Sequence, residues 1–392
     1  MKRIAVLSLV FDNYGTRLQS YALSKVLHKI TENKFEIDFI DIESPWNARN
    51  ERFVVFKLAC RKIRSYGLRG LYKIYELFKW FVGCRSLRKR INHKELYEKR
   101  HALFEHIISL IPYTTKHYTC QDIRDGKLPD YEAIIVGSDQ VWNGKKVGDQ
   151  DVFMLDFATS AKKLTYAASF GMTNIPLNMF DDYRNRISSF SSLLIREKEG
   201  VELCLKLGRN DAELVLDPTL LLDASDYDAD FSRSEIDISD DYVLVYSLNY
   251  SYKIYREAKK ICQHNHCRMV VLKRSVCPPD VSGFAEEFLA ASPEAFLNLI
   301  KKAKIVVTNS YHALLFSIIY RKNFYLYLDN SDEENSRLLT VAKMFNLEKN
   351  VFWESGSLPC CIQGTAYDGI ESILETERTR SIILLRNSLE NI

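Results

Sequence analysis

The sequence predicts an α/β protein built from two Rossmann-like, parallel-sheet domains that face each other across a cleft. Three observations carry that prediction. Short apolar runs alternate with helix-period segments along most of the 392 residues, the pattern of βαβ units. The apolar runs end in glycine, polar or charged residues, as the ligand-facing ends of parallel strands do. The alternation breaks at an acidic stretch poor in aliphatics, 223–241, and then restarts. A chain of this length is long for one core and comfortable for two.

Taken in order, Ile4–Val10 reads as a strand, Thr16–Ile30 as an amphipathic helix and Glu36–Ile42 as a second strand. A basic, aromatic and helical insertion at about 45–125 interrupts the first domain. Glu132–Val136, Lys163–Phe170, Ser192–Ile195 and Glu213–Leu216 follow as strands. They end at Gly137-Ser138-Asp139, Ser169-Phe170-Gly171, Arg196-Glu197 and Asp217-Pro218. Residues 1–222 are thus expected to form the N-terminal domain and 223–241 a linker. The second domain, 242–366, has strands at Tyr242–Leu248, Met269–Lys273, Lys304–Val307 and Phe324–Leu328. Helices are expected at Tyr252–Cys262, Pro293–Lys302, His312–Tyr320 and Asn335–Phe345. The remainder, 367–392, reads as a closing helix that packs back toward the N-terminal domain.

Composition narrows the function. No window supplies the roughly 20 apolar residues of a membrane span. The N-terminal apolar run is short and no small-residue cleavage site follows, so it reads as the first strand rather than a signal peptide. Nine scattered cysteines without a CxxC fit a reducing cytoplasm. The group Cys262, His264, His266 and Cys267 lacks the second Cys/His pair of a zinc site. Residues 49–101 carry +12 and leave −9 for the rest of a chain whose net charge is +3. That basic, aromatic segment suits a helix on an anionic membrane surface. It equally suits a helical insertion packed on its own domain with a solvated basic face. The acidic remainder, without a reading motif, argues against nucleic acid.

The most informative stretch is Lys304–Tyr320, KIVVTNSYHALLFSIIY. A β-branched run enters Thr308-Asn309-Ser310, residues that favour a helix N-cap, and an apolar helix follows. His312 therefore falls in the first turn of a helix, beyond the carboxyl end of a strand. Ligands bind there in open α/β sheets, and the helix N-terminus favours an anion. A histidine so placed can donate to an anionic substrate or exchange protons with it; a cap hydrogen bond is the bland alternative. Asp12-Asn13-Tyr14-Gly15 follows the first strand, with Gly15 allowing close backbone approach. Neither GxGxxG nor GxxxxGK[ST] occurs, so neither a dinucleotide fingerprint nor an NTPase phosphate loop is indicated. Gly137–Asn143 gathers Ser138, Asp139 and Trp142. Trp142 could stack on a sugar and Asp139 could orient or deprotonate a hydroxyl; a turn with Asp139 as a helix cap also fits. Arg196 and Arg337 are candidates for a forked grip on phosphate or carboxylate, with a local salt bridge to the acidic run 332–334 the alternative for Arg337.

In order along the chain stand Asn13-Tyr14-Gly15, VGSDQVWN (136–143), TYAASFG (165–171), IREKEGVELC (195–204), VLDPTLLL (215–222) and VTNSYHALLFSIIY (307–320). This ordered set resembles the polysaccharide pyruvyl transferase family over nearly the whole chain apart from the insertion. The resemblance implies two domains similar to glycosyltransferases of the GT-B type. It implies transfer of pyruvate from phosphoenolpyruvate, as co-substrate, to a sugar of a cell-surface glycan or its lipid-linked precursor, with no metal or cofactor. By position, the family's strand-to-helix histidine falls on His312 and the arginine of its REK motif on Arg196. Some members carry an arginine where this chain has Ser310, so part of the donor grip would come from elsewhere, with Arg337 the candidate. Beside the two residues the resemblance carries over, the loops at the strand ends supply the rest of the expected site. His312 and Asp139 are expected to be catalytic, Arg196, Asn309, Ser310 and Arg337 to bind the donor, and Asn13, Tyr14, Gly15, Ser138 and Trp142 to bind the acceptor. A lipid-linked acceptor would keep the enzyme at the inner face of the membrane. Two rivals remain: a GT-B glycosyltransferase using a nucleotide sugar, and a non-catalytic glycan-binding relative.

Overall fold

A computed structural model describes residues 2–32, 34–43, 93–144, 149–248, 252–273, 281, 283–329, 332–390 and 392. In chain order the N-terminal elements are β1 (Lys2–Leu7), α1 (Tyr14–Thr31), β2 (Phe35–Phe39), α2 (His93–Ala102), α3 (Glu105–Ser109), α4 (Cys120–Arg124), β3 (Ala133–Val136) and α5 (Gln150–Phe153). Then come β4 (Lys162–Thr165), α6 (Leu177–Ile187), β5 (Leu194–Ile195), α7 (Lys198–Lys206), β6 (Glu213–Leu214) and α8 (Ala224–Asp230). The C-terminal elements are β7 (Tyr242–Tyr246), α9 (Tyr252–Asn265), β8 (Arg268–Leu272), β9 (Glu286–Phe288), α10 (Pro293–Lys302), β10 (Ile305–Thr308), α11 (Tyr311–Ile319), β11 (Phe324–Leu328), α12 (Asp332–Met344), β12 (Val351–Trp353) and α13 (Ile370–Leu389).

The N-terminal sheet runs β2-β1-β3-β4, all parallel. Bridges at Leu164–Ser192 and Ala168–Ile195 carry it on to the β5–β6 pair. The C-terminal sheet runs β9-β8-β7-β10-β11-β12, also parallel. That order is the doubly wound one, with its reversal between β7 and β10. The N-terminal sheet reverses between β1 and β3. Strands β3, β7, β10 and β11 are buried at every residue, which is why they read as unbroken apolar runs. One apolar cluster passes from β1 and α1 into α10, α11 and α13, so the two lobes share a core where they meet.

The structure departs from the sequence reading in several places. β1 stops at Leu7 because Ser8 leaves the ladder to donate to the Ser138 carbonyl at 3.0 Å. β4 stops at Thr165, and the positive φ of Ala167 (53°) turns the chain two residues on. β9 and β12, each of 3 residues, were not expected. The stretch 223–241 opens with α8, held by a capping box between Asp223 and Asp226, and buries Tyr227, Phe231, Ile236 and Ile238; it is packed chain rather than a bare polar hinge. Within the insertion, α2 and α3 are helical, while residues 44–92 lie outside the described part. α13 does return to the first lobe. Its Ser381 hydroxyl accepts from the Leu216 amide at 3.0 Å, and Arg378 donates to the Leu220 carbonyl at 2.9 Å.

Candidate active site

His312 comes from the second lobe. β10 delivers the chain to Asn309, whose Oδ1 accepts from the Leu248 amide at 2.7 Å, and so ties this loop to the one after β7. Ser310 is the N-cap of α11, accepting from the Ala313 amide at 3.4 Å. His312 lies in the first helical turn and is buried. Its Nε2 is 3.8 Å from Asp217 Oδ2 and has no hydrogen-bond partner. Its Nδ1 edge lies against the backbone of Gly15. Burial pushes its pKa below that of an ordinary histidine. Asp217 and Asp139 pull it up, and Arg196 and Arg337 push it further down. The net effect favours the neutral ring over the imidazolium.

The first lobe meets this ring with an ion-pair network. Arg196, at the end of β5, is fully buried and donates through Nη1 to Asp217 Oδ2 at 3.0 Å and to Ser138 Oγ at 3.3 Å. Asp217 Oδ2 also accepts from Ser138 Oγ at 3.1 Å, and its Oδ1 accepts from the Thr219 amide and hydroxyl at 3.0 and 2.8 Å. Arg196 Nη2 lies 3.5 Å from Asp139 Oδ1, and Nε and Nη2 have no hydrogen-bond partner. Burial opposes the charge on Arg196, but Tyr311 and the carboxylates outweigh it and raise its pKa. Burial likewise opposes ionisation of Asp217 and Asp139. Neighbouring groups outweigh it and hold both below the usual carboxylate range: His312, in its protonated form, and Arg196 for Asp217, and Arg196 foremost for Asp139. Asp139 has φ 79° and accepts from the Thr16 hydroxyl at 3.1 Å.

A second guanidinium completes the cluster. Arg337 of α12 lies 5.5 Å from the centre of the Tyr311 ring, and Arg196 lies 4.6 Å from it. The Gln140 side-chain amide lies against both terminal nitrogens of Arg337 and, with its oxygen assigned to that side, accepts from them. Burial, and then Arg196, lower the pKa of Arg337. Close by is Glu197, fully buried. Its Oε1 accepts from Ser169 Oγ, Phe170 N and Gly171 N at 3.0, 2.8 and 3.2 Å, and its Oε2 has no partner. Burial raises its pKa against the pull of both arginines. Two guanidiniums are therefore met by three carboxyl groups, Asp139, Asp217 and Glu197. The centre is therefore not plainly cationic.

His312, Arg196, Arg337, Asp139, Ser138 and Gly15 are thus brought together, from both lobes, at the carboxyl ends of the strands. Other candidates sit elsewhere or are otherwise engaged. Trp142 offers no face to a sugar. It is fully buried, donates from Nε1 to the Phe153 carbonyl at 3.0 Å and packs edge-on against Phe170 and Phe190. Tyr14 is equally buried; its hydroxyl donates to the Ala291 carbonyl at 3.1 Å and its ring stacks on Phe296 at 4.6 Å, so it joins the lobes rather than lining an acceptor site. Asn13 caps α1 with its Oδ1, which accepts from the Gly15 and Thr16 amides. Ser138 is buried inside the ion-pair network, and the Ser310 hydroxyl is engaged in its cap. Arg337 makes contacts with Gln140 and Tyr311; the side chains of the acidic run 332–334 lie outside the described residues. Sequence reasoning missed Asp217, Glu197, Tyr311 and Gln140. The Asp-Pro after β6 was the available signal for Asp217. Among the described residues no His, Cys, Asp or Glu cluster is gathered in a metal-holding geometry, the group at 262–267 included.

Two parallel-sheet lobes meeting at the carboxyl ends of their strands define a GT-B-like protein. The structure is similar to the UDP-GlcNAc 2-epimerase of Neisseria meningitidis bound to UDP-GlcNAc, at 9% identity over 100% of both chains with a TM-score of 0.53. It is similar also to the UDP-N-acetylglucosamine 2-epimerase of Rickettsia bellii, at 7% identity over 99% of this chain and 97% of that one, TM-score 0.50. At such identities the likeness is one of fold alone. Residues 13–332 match the pattern of polysaccharide pyruvyl transferases, and the chain belongs to that family. No protein of curated function matches it as a relative.

Proposed function

We propose that this protein moves pyruvate from phosphoenolpyruvate to a sugar of a cell-surface polysaccharide or its lipid-linked precursor, forming a cyclic ketal and releasing phosphate. The observation that carries the reading is the buried His312 ring, its Nε2 unpartnered, beside the guanidiniums of Arg196 and Arg337. In this reading the donor's carboxylate and phosphate engage the unpartnered guanidinium nitrogens. The added negative charge raises the pKa of His312 and favours its imidazolium form. That proton goes to the methylene carbon and makes it a methyl group, leaving an oxocarbenium-like centre. One sugar hydroxyl adds to that centre and gives its proton back to the imidazole. The bond to the phosphate oxygen then breaks, the second hydroxyl closes the ketal, and its proton leaves on phosphate. One hydroxyl proton thus replaces the one delivered to carbon and the other departs with the leaving group, so no further reactant is needed. Asp139, held as a carboxylate, is suited to orienting a hydroxyl rather than to deprotonating it.

The test is exposure of candidate glycans to protein and phosphoenolpyruvate, with mass spectrometry for the added pyruvate and an assay for phosphate. Nucleotide sugars run in parallel. Released nucleotide without phosphate would replace this reading by a glycosyltransferase, and no heat on titration with phosphoenolpyruvate would favour a non-catalytic binder. The reading extends to the basic segment 49–101, most of which lies outside the described residues. Its charge suits contact with an anionic membrane surface carrying a lipid-linked acceptor, in the cytoplasm. Among the described residues no helix is long and apolar enough to cross a membrane. Flotation with anionic liposomes, with and without 49–101, checks this; equal recovery in the unbound fraction would refute it.

A further inference from the structure

We propose that Gly15 is a positioning residue: its bare backbone in one lobe is the seat on which the His312 ring of the other lobe is held for reaction. The proposal rests on the reading of His312 as the reacting group. Gly15 is the second residue of α1, a place where almost any side chain suits a helix better than glycine. Its φ is not in the left-handed region, so conformational freedom does not explain it. Space does. A Cβ at position 15 would lie 1.9 Å from His312 Nδ1, 2.4 Å from Cγ and 2.5 Å from Cε1. These are separations that real atoms do not adopt.

Neither side of this contact is free to retreat. The imidazole is a rigid ring and buried; Tyr311 stands perpendicular to it at 5.3 Å, and its far edge is 3.8 Å from Asp217 Oδ2. Backing away from position 15 moves Nε2 into the Arg196–Asp217 network. Gly15 is fixed by its neighbours. Asn13 Oδ1 accepts from its amide at 3.0 Å. Tyr14 is clamped into the second lobe by its hydrogen bond to Ala291 and its stack on Phe296, and it stacks on Phe104 at 5.5 Å on the insertion side. The triplet therefore divides its work: Asn13 starts the helix, Tyr14 registers one lobe on the other, and Gly15 receives the ring at that register.

The test uses the full chain as Gly15→Ala, His312→Ala and the double variant. Three readouts are taken: thermal unfolding, the ring 15N shifts of His312, and phosphate release from phosphoenolpyruvate with acceptor present. Gly15→Ala is expected to lower kcat by about 100-fold, the scale of a misplacement near 1 Å, with KM for the donor little changed and the His312 ring shifts displaced. Its loss of Tm is expected to vanish in the His312→Ala background, where the ring it collides with is gone. Unmoved ring shifts with wild-type kcat would overturn the proposal. So would a Tm loss, or a failure to fold, that is the same with and without His312. If the wild-type protein releases no phosphate, the assigned reaction fails, while the ring shifts and the stability cycle still decide the seat.

Discussion

Replacing either partner of the Arg196–Asp217 pair should be among the most destabilising substitutions in the chain. Both side chains are fully buried and share a 3.0 Å hydrogen bond. Arg196→Met leaves the Asp217 carboxylate with its Thr219 and Ser138 donors but without a counter-charge. Asp217→Asn leaves the guanidinium without its hydrogen-bonded anion, while an amide oxygen still serves the Thr219 cap. Breaking a buried pair from one side costs about 3–5 kcal/mol, because an uncompensated charge stays behind. Removing both charges does not incur that penalty twice. The double variant Arg196→Met/Asp217→Asn should thus fall well short of the sum of the singles, with a coupling of about 2 kcal/mol or more. Urea unfolding of the four proteins, extrapolated to water, measures the cycle. Singles that add to within about 0.5 kcal/mol would refute the reasoning, and Arg196 would then be held by packing on Tyr311 rather than by charge.

His312→Ala should lower phosphate release by about 10²–10⁴-fold, the usual worth of a positioned acid–base group, while far-ultraviolet circular dichroism stays that of the native fold. Stability should depend on His312 in mildly acidic solution. Its folded pKa lies below the value of about 6.5 for an unfolded histidine, so the unfolded chain binds the proton first. Stability is then full above that pH and declines as pH falls below it, and urea titrations of His312→Gln should be flatter in that window. The carboxylates Asp139 and Asp217, with lowered pKa values, lose their contribution only below about pH 4. Trp142→Ala should cost about 3–5 kcal/mol as a core truncation, and Trp142→Phe should leave the acceptor KM unchanged, because the indole packs in the core.

The position of His312 was legible because β10 and α11 announce themselves: a β-branched run, a capping Asn-Ser and an apolar helix fix where the residue between them falls. The same logic found Arg196 at the end of β5. It did not find Asp217, whose role hides behind a local one. Its Oδ1 makes the turn that an Asp-Pro sequence advertises, while its Oδ2 reaches Arg196 from a neighbouring strand end. Pairings between distant strand ends depend on sheet order, which no local pattern encodes. Trp142 and Tyr14 were misread for a related reason. A large aromatic in a polar loop has the same sequence signature whether it faces solvent or folds under the loop. β9 and β12, three residues each, are too short to show a period.

The return of α13 to the first lobe has a mechanical consequence. The chain passes between lobes once after Asp217 and again before Ile370, and each passage is anchored on the first lobe, by α8 packing on one side and by Ser381, Arg378 and Arg380 on the other. Two covalent crossings join the lobes at separate points, on top of the apolar core they share, so twisting one lobe over the other would strain both crossings at once.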